Sequence, residues 1–414
     1  MTLKLNHGMN IKTNKMNKSL ILACAALISA HAAFAENKEN PADTAFIFKD
    51  TKLVKTTSVK DQNRSGTCWS FSGISFFEDE LLKAGKGEYD LSEMYVVRQC
   101  YIDKAINYVR YYGQTNFGEG GGLLDVPYVY NKYGMLPDTV YNGLQYGEEK
   151  HNHGELAAVL STYLKEIVKN PNKKLSTAWL KGYEGILDAY LGKVPETFEY
   201  NGKTYTPKSF AESLGLNMDD YLPVTSFNHH EFYKPFVLEV PDNWAHGLYY
   251  NVPMNELKEI VENAIDNGYS VLWAADVSEK GFKWYDGVAL MPKVDKNKAV
   301  EGTELSKWVK LKNSEKEDKL YDFKGPVEEI EVTQESRQKG FDNYETTDDH
   351  GMVIVGKAVD QKGNKYFKVK NSWDSDQVYQ GFFYVSEPYF LAKTMSILVN
   401  KKAIPSGILK KLGK

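Results

Sequence analysis

Residues 65–77 read SGTCWSFSGISFF: a Gly-Thr pair, a cysteine, a tryptophan, and then a run whose apolar positions fall on a helical period. Ile74, Phe77 and Leu81 carry that period onward and the AGKG cluster at 84–87 ends it, so the spacing predicts a helix from about Trp69 to Lys83. Cys68 then stands at the mouth of an apolar helix. A free thiol is most often a small buried hydrophobe. At a helix N-terminus, where unsatisfied N–H groups and the macrodipole favour negative charge, it is also where a thiolate is stabilised. The first reading makes Cys68 core and the second makes it a nucleophile.

Composition bounds the rest. The 414 residues are 42% hydrophobic, 13% aromatic and 26% charged, the profile of an ordinary folded protein with room for a large core. A formal charge of -4, with lysines interspersed among acids, leaves no basic footprint for nucleic acid. Residues 1–35 read as a secretory leader: basic MNIKTNKMNK, apolar SLILACAALISAHAAFA, and the small-x-small triplet Ala33-Phe34-Ala35 before Glu36. Cys24 invites a lipoprotein reading, but too few apolar residues precede it. No later stretch approaches the ~20 apolar residues of a spanning helix, so the mature chain is expected to be soluble and exported, to a periplasm or the medium, without membrane contact. Cleavage leaves Cys68 and Cys100. A disulfide between them is open in such a compartment, but Cys100 lies inside the helical pattern MYVVRQCYIDKAINYVRYY and reads as a core thiol.

The organisation predicted is α+β, helices early and strands late, without internal repeats. VKTTSVKDQNRSG approaches the first helix in extended form, a second helix crosses 91–112, and the glycine-rich TNFGEGGG leads to a third that closes at Gly134. A mainly helical insertion is expected over about 140–270, with a turn at YNGKTY. Near its end VPMNELKEIVENAIDNGYSVLWAADVS reads as a helix feeding a buried strand. Residues 295–345 read as an irregular charged insertion. Over 346–400, HGMVIVGKAVD, KYFKVKNSW and GFFYVSEPYF give a β-rich half.

A cysteine nucleophile needs an imidazole and a group to orient it. His7 and His31 leave with the leader. His151 and His153 lack nearby carboxylate or cysteine spacing and read as solvated surface rather than metal ligands. His229 and His230 sit in polar sequence and His246 stands alone. His350 opens an apolar strand, and Asn371 follows in the next one.

DQNRSGTCWSF, GEGGG, DHGMVIVG and KNSWD, in this order, resemble the papain-like cysteine peptidases, specifically their bleomycin hydrolase or aminopeptidase C branch. The papain signature C-G-[SA]-C-[WY] loses its first cysteine here, and the Cys68-to-His350 separation is about twice the ~130–150 residues of papain. Both features suit that branch and its large insertion. FYKPFVLEV, YYNVPMNELKEIV and VLWAADVSEKGF are similar to further segments, so the resemblance covers most of the mature chain. It implies a two-part fold, with a helical half carrying Cys68 and a β-barrel-like half carrying His350 and Asn371 across a cleft. By resemblance, Cys68 attacks the scissile carbonyl, His350 moves the protons, Asn371 orients the imidazole and Trp373 shields that bond. Gln62 joins the Cys68 N–H in an oxyanion hole, Trp69 supports the nucleophile, and Gly121 and Gly122 let substrate backbone lie close. The implied partners are peptides, with no metal or organic cofactor and only a reduced thiol. Family enzymes form hexamers and place a C-terminal arm in the cleft. The tail SGILKKLGK is short by that standard, which leaves the hexamer and arm-directed aminopeptidase action open, beside an endopeptidase with an open cleft and a non-catalytic peptide-binding scaffold.

Overall fold

The computed structural model describes residues 45–294 and 312–414. The predicted leader and Cys24 lie outside the described residues, as do positions 295–311 of the predicted irregular insertion. Strand β1 (Lys49–Leu53) leads into helices α1 (Cys68–Lys83), α2 (Glu93–Arg110), α3 (Asp125–Tyr133), α4 (Gly154–Lys169) and α5 (Ala178–Leu191). The hairpin β2 (Phe198–Tyr200) and β3 (Lys203–Tyr205) makes the expected turn, and α6 (Pro207–Leu214) follows. Next come β4 (Tyr221–Thr225), β5 (Pro235–Val237), β6 (Leu248–Asn251), α7 (Met254–Asp266), β7 (Val271–Ala275), β8 (Phe282–Lys283) and β9 (Val288–Ala289). The last part holds α8 (Asn313–Leu320), α9 (Gln334–Asp342), β10 (His350–Val359), β11 (Lys365–Lys370), β12 (Phe382–Ser386), α10 (Glu387–Lys393), β13 (Thr394–Asn400) and α11 (Ser406–Lys411).

Apart from the β2–β3 hairpin, these strands join one sheet in the order β5-β6-β4-β13-β7-β10-β11-β12-β9-β8, with β1 beside β10. The path is open: among the described residues the barrel-like half implied by the resemblance is a sheet that does not close. Its spine is β10. One edge pairs with β7 over His350–Ile354 and then with β1 over Gly356–Val359, while the other pairs with β11. The backbone of His350 is thus fixed against Ala275 of β7.

Helix α1 lies along β10, and every residue from Trp69 to Leu81 is buried, as a helix between two layers must be. Its Glu78, Asp79 and Glu80 are buried too, which is tolerable only with partners. Glu78 accepts from Thr57 Oγ1 at 2.9 Å and pairs with Lys60 at 3.2 Å, Thr57 N–H donates to Asp79 at 3.2 Å, and Asn400 Nδ2 donates to Glu80 at 2.7 Å. Lys60 also reaches Glu93 at 2.6 Å. These bonds clamp the segment just before Gln62 onto α1.

Two sequence expectations need correction. The helical insertion does not extend to 270: β4, β5 and β6 belong to the main sheet, and α7 covers it. Nor is the described part of 295–345 irregular, since it contains α8 and α9. Helix α9 opens with a reciprocal Thr333–Ser336 capping box and buries Arg337, which is 2% exposed. The guanidinium donates to the carbonyls of Ser226 (2.7 Å), Leu391 (2.9 Å) and Thr394, and lies over the Phe227 ring. Replacing Arg337 by leucine strands three buried carbonyls. The expected cost, read by urea unfolding, is about 2–4 kcal/mol; an unchanged midpoint would show that water reaches them.

Helix α11 packs on the α7 side of the sheet, with Ile408 and Leu412 in the same apolar cluster as Leu257 and Ile260, and Lys411 2.6 Å from Glu256. No residue of 401–414 lines the cleft that holds Cys68.

Candidate active site

Thr67 precedes α1 without a side-chain cap, and no acid occupies the first turn. The free N–H groups and the positive end of the dipole are left to Cys68 and to whatever binds beside it. Cys68 is half-buried and not in a disulfide, and Cys100 is buried and free, so the pair is unbonded as expected. The thiol shares a cleft of about 410 Å³ with Trp69, Gly121, Gly122 and His350.

His350 is 5% exposed, and its Nε2 lies 2.6 Å from Asn371 Oδ1. The backbone N–H of Ser372 donates to the same atom at 2.8 Å. An N–H donor demands an oxygen there, which settles the amide's orientation; that oxygen can only accept, so Nε2 carries the proton and Nδ1 keeps its lone pair. The Trp373 ring covers this bond, its centroid 4.4 Å from that of His350, and is itself packed edge-on against Phe282 and Trp284.

Gln62 is 6% exposed and held from two sides. Its Oε1 accepts from Ser372 Oγ and its Nε2 donates to the Ser65 carbonyl, both at 2.7 Å, while its backbone N–H donates to the Ser372 carbonyl at 2.9 Å. One amide therefore ties the turn before Cys68 to the residue after Asn371. The second Nε2 hydrogen is left over.

Burial pushes the Cys68 thiol up to about 12, with a Gly351 backbone hydrogen bond opposing and the charges of Asp348 and Asp242 adding. Burial likewise pushes the His350 imidazole down to about 4, against the Asn371 bond. Each group alone stays neutral. A charge on either group is therefore favoured only alongside an opposite charge, which offsets the cost of its burial.

The glycine loop is built for close approach. A Cβ on Gly121 would lie 2.8 Å from the Trp69 indole, and one on Gly122 3.4 Å from the Asp242 carbonyl. Trp69 Nε1 donates to the Glu119 carbonyl at 2.9 Å, and Gly122 N–H to Asp125 Oδ2 at 3.0 Å. The sequence reading missed two supports. Lys104, 1% exposed, donates to the carbonyls of Gly118 (2.8 Å) and Gly120; its signal was a lysine on the same helical stretch as the core residues Cys100 and Tyr101. Gly351 lets β10 meet α1, since a Cβ there would lie 2.6 Å from Ser72 Oγ and 3.3 Å from Trp69 Cα.

His151 and His153 are not solvated surface. Arg64 exchanges backbone bonds with both, which folds the HNHG segment onto the loop before Cys68 and leaves His153 fully buried. Burial pushes the His153 imidazole down to about 4. Among the described residues, His229, His230 and Glu239 bring three potential metal-ligand atoms within 4.8 Å. Both histidines already bond Glu239 through Nε2, an arrangement complete without an ion.

The Peptidase C1-like family matches residues 3–291 and 288–414. An Aminopeptidase C of Lactococcus lactis subsp. cremoris is 24% identical over 380 residues, 83% of this chain and 80% of its own length. One of Streptococcus thermophilus is 23% identical, covering 88% of this chain and 85% of its own. The crystal structure of PepW from Lactobacillus rhamnosis HN001 matches with a TM-score of 0.66 at 19% identity, over 88% of this chain and 84% of that one. With α1, β10 and the cleft between them inside the matched residues, the chain has a papain-like α+β fold and belongs to the Peptidase C1-like family.

Proposed function

We propose that the chain is a cysteine aminopeptidase working through a thioacyl intermediate. The carrying observation is that Cys68, at an uncapped helix N-terminus, shares its cleft with an imidazole whose Nδ1 is freed by Asn371. In this reading Nδ1 takes the thiol proton as Sγ attacks the carbonyl carbon. The oxyanion is met by the Cys68 N–H and the spare Gln62 hydrogen. Nδ1–H then protonates the leaving amine, and the same nitrogen activates the water that hydrolyses the thioester. The relatives named Aminopeptidase C support action at a free N-terminus. One feature favours an endopeptidase instead: a hollow of about 1090 Å³ shares Val240, Asp242 and Asp348 with the cleft, room for a longer chain. Export to a periplasm or the medium is part of the proposal and is supported by the basic-then-apolar pattern of residues 9–35.

The test uses the reduced protein on aminoacyl and N-acetyl-aminoacyl coumarin amides. Turnover of the free-amine series alone, dependent on reductant and indifferent to EDTA, is the expected result. Comparable turnover of the acetylated series makes the protein an endopeptidase, and turnover of neither makes it a binding scaffold. Gly351→Ala is expected to lower kcat about 10²-fold by moving His350 away from Cys68, the usual consequence of a displacement near 1 Å. Unchanged kcat would mean that Ser72 yields instead.

A further inference from the structure

The cleft beyond Cys68 has an acidic wall: Asp242, Asp348 and Asp349 line it, and among the described residues no lysine or arginine does. Asp349 is engaged, accepting from Thr347 Oγ1 at 2.7 Å and from the Val277 N–H at 3.2 Å. Asp242 accepts from Asn116 Nδ2 at 3.2 Å. Asp348 is different, because among the described residues its carboxylate accepts no hydrogen bond and meets no cation. Burial, then the charges of Asp242 and Asp349, push it up to about 7, the mark of a carboxylate that lacks a counter-charge. Asp348 and Asp242 line the same cleft as the Cys68 sulfur. They also stand where the cleft passes into the larger hollow.

We propose that Asp348, assisted by Asp242, receives the free α-ammonium group of the substrate and so confines cleavage to the first peptide bond. This inference rests on the peptidase reading above. A peptide's ammonium nitrogen is one Cα from the first scissile carbonyl, about 2.5 Å from its carbon, so its receptor must lie in the cavity that holds Sγ. Asp348 meets that requirement. A chain continuing into the hollow would instead set neutral amide groups against two carboxylates, with a carbonyl oxygen facing like charge. An ammonium supplies three donors and the missing charge. An arginine or lysine side chain of an internal residue carries similar chemistry, and the experiment separates the two sources.

The experiment measures binding by calorimetry to the Cys68→Ala protein, so that nothing is turned over. The peptides are Leu-Ala-Ala, its N-acetyl form, and N-acetyl-Arg-Leu-Ala-Ala. The free-amine peptide is expected to bind about tenfold to a hundredfold more tightly than its acetylated form, the usual worth of a charge-assisted hydrogen bond. Adding Asp348→Asn, which keeps shape and removes charge, is expected to erase that preference while the acetylated peptide binds as before. Asp242→Asn is expected to reduce it partially, and an unchanged thermal midpoint shows that each variant is folded. Equal binding of the two peptides, no binding of either, tighter binding of the arginine peptide, or a preference that survives both substitutions overturns the proposal. The readings fail separately: an Asp348-dependent preference in a protein that hydrolyses nothing sinks the peptidase reading and keeps the ammonium site. Hydrolysis without the preference sinks the site alone.

Discussion

Cys68→Ala is expected to leave a folded protein whose kcat on peptide amides has fallen by a factor on the order of 10⁶, the loss seen when a covalent nucleophile is removed from a hydrolase. The loss is chemical and not structural. Cys68 is half-buried, it opens a helix, and alanine is the best helix former, so the thermal midpoint should hold. In the proposed mechanism loss of Sγ removes the acyl acceptor altogether, and what remains is binding and the polarisation of a carbonyl by helix N–H groups. Cys100, the other cysteine among the described residues, cannot substitute: it is fully buried in α2, and burial holds its thiol well above the ordinary range. Of the two described cysteines, iodoacetamide should accordingly label Cys68 in the native protein and neither position in the variant. Retention of more than about 1% of the activity by a pure Cys68→Ala protein would move the chemistry elsewhere.

The parts of the molecule legible in the sequence are those whose signal is local. The apolar period after Cys68 places α1 within one residue of its observed start, and the Gly134 stop of α3 and the helix-to-strand passage from α7 to β7 are also as read. The strands of 221–251 are not legible, because their partners are distant: Leu222 pairs with Val399, and β5 is only three residues long. Pro223 inside β4 argues locally against a strand, and pairing with β13 overrides it. Helix α9 was hidden by its charge, though its Thr333–Ser336 cap is a local signal of the capping kind.

The site divides in the same way. Cys68, His350 and Asn371 stand in short recognisable words, whereas their supports do not. The burial of His153 comes from Arg64, and the reason for Gly351 comes from Ser72 and Trp69, contacts that exist only once α1 lies on β10. Asp348 reads as one more acid beside His350 until the cleft shows that no cation among the described residues answers its charge.

Gln62→Ala is expected to lower kcat by about 10²–10³, or ~2.7–4 kcal/mol of transition-state stabilisation, with KM little changed, because in the proposed mechanism the hydrogen it removes meets a charge that develops only during attack. The geometry is specific. Ser372 Oγ holds the amide oxygen and the Ser65 carbonyl holds one amide hydrogen, so the remaining hydrogen has a fixed direction and costs no reorganisation when the oxyanion forms. Gln62→Glu keeps the shape, replaces the donor with an acceptor and sets a negative charge against the oxyanion, so it is expected to be at least as damaging. Truncation also frees Ser372 Oγ and the Ser65 carbonyl, and that structural loss has to be separated from the catalytic one. Alkylation of Cys68 by iodoacetamide separates them, since that reaction needs the thiol and His350 but builds no oxyanion on a carbonyl. An alkylation rate within about twofold of wild type beside the large fall in kcat assigns Gln62 to the oxyanion. Equal falls in both rates would make it a positioning residue for the Cys68 turn, and an unchanged kcat would leave the oxyanion to backbone N–H groups alone.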